Sequence, residues 1–427
     1  MKRTKSAQNV TLLAGSLAAL FTTLPGAQAG RELFTARAVA QDGSGLRASE
    51  SSSSFIDLVS NVIKAENRFA VFQDRAGFAS LDYAGVPNAI TFQQNGSGTR
   101  AVLRIPVTGL EKTFTGRNRD DVNDQIEDYL RKNGSDEYEK FLKAINQQSP
   151  VSPIDGNPNA ATAQMANATF GEFGFPSGET QRGNPSGISI LGTAGRFTAG
   201  EFQGDAYTLP LGFTIRASEK VSVVVNIPLS YIDVEGSQIF NVGTSLSLPV
   251  RILQAAAAVE DTSKDGKGTP STPAQPWTWQ LTPTVGAIAT GSQDFATGGV
   301  IGQLAATNML SYNFTRFTLA MGNHVSWLEG IPVSVEGYKV SGGVSQVLLK
   351  NGLQASVPLG ERWLFTAYGL YTRFLDDAAV VDYFTVGAEI GFKFLANSPS
   401  YLKLGFYSDI GSNYESGSIR FGSGWRF

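Results

Sequence analysis

The sequence has no cysteine and one histidine, His324, among 427 residues. That excludes disulfide frameworks, thiolate metal sites and cysteine nucleophiles, and it leaves little material for a zinc centre. Charge is scarce as well: Asp, Glu, Lys and Arg make up 17% of the chain, against roughly 25% in a soluble globular protein. A net charge of -3 with no basic block provides no electrostatic footprint for nucleic acid. Beyond the N-terminus there is no apolar run near the ~20 residues that a membrane-spanning helix needs. Glycine, in contrast, is abundant at 47 residues, above the usual ~7%.

The first thirty residues have the layout of a bacterial secretory signal peptide. Lys2, Arg3 and Lys5 form a positive start, Val10 to Leu24 is apolar, and Ala27-Gln28-Ala29 is an A-x-A cleavage site. The apolar core is too short for a spanning anchor. Residues 1–29 are therefore set apart from the fold, and the remainder is expected to be exported.

Residues 30–54 are polar, with Ser49 and Ser51 to Ser54, and read as a flexible lead-in. Residues 55–148 read as a small α+β domain. Phe55, Leu58, Val59, Val62 and Ile63 lie on one helical face, and strand-like runs follow near 68–72, 76–83, 89–94 and 99–107. Asn118 with Asp120 and Asp121 starts a helix, Asn133-Gly134 is expected to end it, and Tyr138, Phe141, Leu142 and Ile145 mark a second. Residues 149–186, punctuated by Pro150, Pro153, Pro158, Pro176 and Pro185, read as a linker or plug with a short helix over 160–170.

From Gly187 to Phe427 the two-residue period takes over. In 383–394 one parity reads Phe384, Val386, Ala388, Ile390, Phe392 and Phe394; the other reads Tyr383, Thr385, Gly387, Glu389, Gly391 and Lys393. The stretches 207–217, 221–231 and 240–252 behave alike. Sandwich strands are usually shorter and carry large side chains on the inward face. Strands of ten or more residues with a greasy face and a small-polar face fit a transmembrane antiparallel β-barrel. Twelve candidate strands fall near 187–199, 205–218, 219–233, 238–253, 276–290, 296–308, 313–327, 334–349, 362–375, 380–395, 400–410 and 414–427. Trp277, Trp279, Trp327, Trp363 and Tyr401 near strand ends suit interfacial girdles.

The last strand places Ile419, Phe421, Ser423, Trp425 and Phe427 on one parity and Arg420, Gly422, Gly424 and Arg426 on the other. This ending resembles the C-terminal β-signal of Gram-negative outer-membrane proteins, with Phe421, Trp425 and Phe427 as its assembly residues. The resemblance implies recognition by the barrel-assembly machinery and a home among outer-membrane lipids. The signal peptide and C-terminal barrel are similar to those of autotransporter translocators, although residues 30–186 are not a repetitive β-solenoid passenger. An N-terminal plug is also a feature of fatty-acid transporter barrels, whose Asn-Pro-Ala segment Asn157-Pro158-Asn159-Ala160 resembles.

If Gly187 enters from the periplasm, the outer connections fall near 200–204, 234–237, 291–295, 328–333, 376–379 and 411–413. The longest ones, 254–275 and 350–361, then lie on the periplasmic side, the inverse of the usual distribution. Either little is exposed outside or the register is displaced by one strand. The domain 55–148 is expected in the periplasm. Arg216, Arg251, Arg316, Glu389 and Lys393 sit on polar parities as lumen-facing candidates, for a packing network or a solute path.

Asn323-His324-Val325-Ser326 resembles the His-x-Ser arrangement of outer-membrane phospholipase A, with Glu336 as the third group, and implies a Ser326 nucleophile. The parity opposes this: Phe317, Leu319, Met321, Val325 and Trp327 face lipid, so His324 faces the lumen. Gly298-Gly299 and Gly342-Gly343 lack the features of phosphate loops. The sequence thus predicts a non-enzymatic outer-membrane barrel without cofactor or metal, a narrow or self-plugged channel for small solutes. The alternatives are an envelope scaffold with a periplasmic protein partner and a phospholipase-like hydrolase.

Overall fold

A bilayer core offers no water to unpaired backbone groups, so strands that cross it must close on themselves. In the computed structural model they do. It describes residues 32–170, 186–253, 276–314, 316–335, 338–340, 343–393 and 401–426. The signal peptide, the expected connection 254–275, Glu336 and Phe427 lie outside the described residues.

The N-terminal sheet comprises β1 (Phe34–Ala40), β2 (Arg47–Ser52), β3 (Gly77–Tyr83), β4 (Val86–Gln94), β5 (Arg100–Ile105) and β6 (Leu110–Thr115). Its order is β2-β1-β3-β4-β5-β6. Helices α1 (Phe55–Lys64) and α2 (Arg119–Gln148) cover it. Ser54 caps α1 by accepting from the Asp57 N–H, and Asn118 caps α2 by accepting from Asp121, as short polar side chains do at helix starts.

Three expectations are corrected here. The lead-in 30–54 is not flexible coil: it contains the β1–β2 hairpin, and β1 is the strand that β2 and β3 pair on. The run at 68–72 is a 3-10 helix, Asn67–Phe72, burying Phe69 and Phe72. Asn133-Gly134 does not end a helix, because α2 continues to Gln148; a lone Gly costs about 1 kcal/mol there, which buried Phe141, Leu142 and Ile145 readily outweigh.

The barrel strands are β7 (Gly187–Ala199), β8 (Phe202–Thr208 and Leu211–Arg216), β9 (Ser222–Ile227 and Leu229–Val234) and β10 (Ser237–Ser247 and Val250–Leu253). They continue as β11 (Trp277–Ser292), β12 (Thr297–Asn313), β13 (Thr318–Ile331) and β14 (Ser345–Leu359). The last four are β15 (Trp363–Phe374), β16 (Asp382–Lys393), β17 (Tyr401–Gly411) and β18 (Tyr414–Arg426). β18 pairs with β7 along its whole length, from Tyr414 opposite Ala199 to Arg426 opposite Gly187, which closes a twelve-stranded antiparallel barrel. Phe240, Leu304, Leu353, Phe384, Phe406, Phe421 and Trp425 point outward and are exposed, as lipid-facing side chains must be.

The eighth strand departs from the sequence reading. Residues 350–361 are not a long connection; β14 runs through Asn351-Gly352, where Gly352 lies opposite Gly322 of β13. An Asn-Gly pair is a turn signal, but here a strand neighbour on each side holds it extended. The long connection falls instead between β13 and β14, over 332–344.

The N-terminal domain packs on the mouth formed by the turns after β7, β9, β11, β13, β15 and β17. Tyr83 Oη donates to Phe295 O at 2.7 Å, Phe55 N–H to Asp294 O at 2.8 Å, and Ser237 Oγ to Ser53 O at 2.8 Å. Phe295 is fully buried against Phe34 and Tyr83, with ring centroids 5.5 and 6.2 Å away. Gly187 and Arg426 lie at the opposite mouth. A strand start in the periplasm and a domain in the periplasm are therefore incompatible expectations for one structure.

Phe295→Ala removes a barrel ring packed inside the domain's aromatic cluster, a core truncation worth about 3–5 kcal/mol. Residues 32–148 should then become sensitive to limited proteolysis, while the barrel keeps its heat-modifiable gel mobility.

Candidate functional site

The lumen is filled from the domain side by the chain itself. Between α2 and helix α3 (Ala161–Thr169), residues 149–160 form a buried connector whose polar groups are satisfied locally. Ser149 Oγ donates to Ala84 O at 2.7 Å, Ser152 Oγ to Asn146 Oδ1 at 2.6 Å, and Asn157 Nδ2 to Ser152 O at 2.7 Å. Gly156 has φ +82°, and a Cβ there would stand 2.2 Å from Asn146 O, so no other residue fits.

Helix α3 reads Ala-Thr-Ala-Gln-Met-Ala-Asn-Ala-Thr. A helix with full-sized side chains is about 10–12 Å across; small residues narrow it enough to lie inside a small barrel. Met165 fills the space that a side chain at Gly286 would need, since a Cβ there would lie 2.1 Å from Met165 Cε. Around it, near the domain mouth, the inward parity is apolar: Ile232, Ile239, Ile288, Ile301, Leu328, Leu348 and Phe374 are all buried and form one core with the N-terminal domain. Alternation alone did not separate these from lipid-facing residues, because the strands are apolar on both faces there.

Below α3 the inward face turns polar. Gln303 Nε2 donates to Thr169 Oγ1 at 3.1 Å and to Ser326 Oγ at 2.6 Å. Lys350 Nζ donates to Asn167 Oδ1. Arg420 bonds Glu389 at 3.2 Å and Tyr368 Oη at 3.1 Å, with its guanidinium 4.6 Å from the Tyr407 ring centroid. Asp409 accepts from Thr385 at 2.6 Å and Ser416 at 3.0 Å. A cavity of about 290 Å³ lies beside α3. It is walled by Asn167, Phe170, Lys350 and Arg420, and it reaches Gly187, Ser189 and Gly424 at the far mouth. Pro210, Pro228 and Pro249, which interrupt β8, β9 and β10, also line it. Proline gives up a ladder donor, and a membrane strand tolerates that where the backbone borders a cavity.

Of the lumen-facing candidates, the structure places Arg251 and Glu389 inside, at 2% and 3% exposure. Arg216 and Lys393 close their strands at the mouth, and Arg216 Nε bonds Ser218 O at 3.2 Å. Arg316 is exposed and lies between β12 and β13, not on a strand. These three are corrected as rim residues; a charged head at a strand end reaches water along its own stem. Phe421 and Trp425 face outward. Lys350, Asp409 and Arg420 were missed. Once β14 is drawn over 345–359, Lys350 shares parity with Gln346 and Gln354, which was the available signal.

His324 and Ser326 are both buried and inward. His324 Nδ1 pairs with Thr307 Oγ1 at 2.8 Å, and its ring lies 5.4 Å from Phe170; Ser326 pairs with Gln303. Their hydrogen bonds go to different partners.

Both barrel rims carry outward aromatics, Tyr207, Tyr231 and Phe240 on the domain side and Trp277, Tyr312 and Trp363 on the other. The charges differ. Among the described residues the domain rim carries Glu201, Asp205, Asp233, Glu235, Asp294, Glu329, Asp376, Asp377, Asp382 and Glu415 with Arg196 and Arg373. The other rim carries Arg216, Lys220, Arg316, Arg362 and Lys393 with Glu219 and Glu361.

Asp155, in the connector, accepts from Thr162 Oγ1 at 2.6 Å and Gln346 Nε2 at 3.4 Å. Burial, with Asp376 nearby, raises its pKa to about 6. A carboxyl that binds its proton more tightly when docked favours docking more as pH falls through 6 toward its free value near 4. Thermal stability of the detergent-solubilised chain should therefore rise between pH 7.5 and 5, and Asp155→Asn should flatten that part of the profile.

No family model and no curated protein matches the sequence. Solved structures do. The translocator domain of the autotransporter NalP from Neisseria meningitidis is 14% identical, with a TM-score of 0.42 over 62% of this chain and 96% of that one. The β domain of the Bordetella autotransporter BrkA is 11% identical, TM-score 0.40, over 57% of this chain and 100% of that one. An outer-membrane channel from Pseudomonas putida F1 is 10% identical, TM-score 0.37, over 58% and 98%. The chain is a closed twelve-stranded antiparallel barrel with a small N-terminal α+β region.

Proposed function

We propose that this chain is a self-occluded outer-membrane anchor that holds its own N-terminal domain on the outer side of the membrane. The observation that carries the reading is the path of the chain. The domain sits on one mouth, α3 lies in the lumen, and β7 begins at the other mouth. An exported chain reaches the outer membrane from the periplasm, and an even number of strands leaves both sheet ends on one side. With those ends toward the periplasm, the domain is outside.

A second reading, a channel for small solutes that opens when α3 shifts, is favoured by the polar cavity reaching the far mouth. In either case the resting lumen is closed by packing from Ile154 to Met165.

The absence of cysteine makes sidedness directly measurable. Ser44→Cys, in the exposed β1–β2 turn, should react on intact cells with a maleimide coupled to a polymer too large for porins. Glu219→Cys, at the opposite rim, should react only after the outer membrane is permeabilised; the reverse pattern places the domain in the periplasm and defeats the proposal. In planar bilayers the full chain should be silent. Gly286→Leu, whose side chain competes with Met165, should show opening events if the lumen can conduct.

A further inference from the structure

We infer that the outward face of β12, β13 and β14 is an interface within the membrane, and that the partner it fits is a second copy of this chain. The inference rests on the barrel spanning a bilayer and not on the side the domain faces. A lipid-facing strand position calls for an apolar side chain. Yet Asn308, Asn323 and Asn351 all stand on the outward parity of their strands. Asn308 lies opposite Asn323, and Asn323 opposite Asn351, so the three form one row across neighbouring strands. The row lies within the apolar band. Its outward neighbours along the strands are Ala306 and Leu310, Met321 and Val325, and Leu349 and Leu353. Asn351 is six residues from one end of β14 and eight from the other.

The row is hydrogen-bonded in one direction, and Trp279 sets that direction. An indole N–H only donates, and Trp279 Nε1 gives it to Asn308 Oδ1 at 2.7 Å. That turns the Asn308 nitrogen to Asn323 Oδ1 at 3.3 Å, and the Asn323 nitrogen to Asn351 Oδ1 at 2.7 Å. The row therefore ends on the nitrogen of Asn351, an exposed double donor that meets no acceptor among the described residues. Acyl chains offer none at that depth, and an open amide there is costly. A carboxamide is its own complement: Asn351 Oδ1 accepts one hydrogen bond and has a second lone pair. Across a two-fold axis along the membrane normal, each Asn351 Nδ2 donates to the other copy's Oδ1, and both rows end satisfied. Such an isologous contact is the commonest way for a chain to meet its like. The adjoining surface has matching relief. Gly369 of β15 has open space where a side chain would stand, and Leu353, opposite it, is 59% exposed. A ridge beside a hollow lets two identical faces interlock.

The test is energy transfer between copies of the full chain in phospholipid vesicles, with donor and acceptor dyes on Ser44→Cys. Transfer should exceed that of randomly placed chains across a range of protein-to-lipid ratios, and fall when unlabelled chain is added in excess. Asn351→Leu, which suits lipid but removes the amide pair, should raise the apparent dissociation constant at least about tenfold. Gly369→Leu fills the hollow and should weaken association with the amides intact. Ile215→Ala, on β8 at the opposite side of the ring, should change nothing. Heat-modifiable mobility reports that each variant is folded, and the result for the otherwise unaltered chain decides the matter even if one variant is not. Transfer no greater than random overturns the proposal, as does association indifferent to both Asn351→Leu and Gly369→Leu. Crosslinking in cells that joins this face to a different membrane protein, with no adduct between copies, overturns the second copy as the partner.

Discussion

The whole molecule follows from the need to leave no backbone hydrogen bond open to lipid. Closure of β18 on β7 meets that need, and closure creates an interior. Twelve strands enclose more space than their own inward side chains fill when many of those are Gly, Ser and Thr, so something else must occupy it. Here the occupant is a helix of small residues from the same chain. Its smallness and the missing side chain at Gly286 are two halves of one fit.

That occupancy divides the lumen in two. On the domain side, inward Ile, Leu and Phe fuse with the N-terminal sheet into a continuous core, which makes the domain part of the barrel's packing and not a tethered neighbour. On the other side the walls are polar and paired, with Glu389 and Arg420 as the best-matched ions. Buried pairs of this kind give little net stability over apolar packing.

Much of this was readable in the sequence, and the limits are instructive. The alternation in 383–393 gave the inward and outward sets that the burial shows, because lipid and lumen make opposite demands on successive residues. The zero-cysteine composition and the aromatic ending pointed to the same compartment. What failed were features decided by neighbours. Ser-rich 47–52 became a strand because β1 was there to pair with, and Asn351-Gly352 stayed extended between β13 and β15. That second error hid Lys350, which was read as the start of a loop. Nor can periodicity reveal which mouth a domain covers; the contacts of Tyr83, Phe55 and Ser237 with barrel turns are purely tertiary.

The threaded path has a consequence for assembly. A finished barrel and a finished domain could not be joined into this structure by docking, because the ring closes around a helix that follows the domain in sequence while β7 begins at the other mouth. Either the β7–β18 seam closes while residues 161–169 already lie inside it, or the N-terminal residues pass through the ring unfolded, since a folded six-stranded sheet cannot pass through a lumen that holds only a small-residue helix. The seam is thus the last pairing to form or the domain is the last element to fold, and pulse-labelling the two regions during assembly would reveal which.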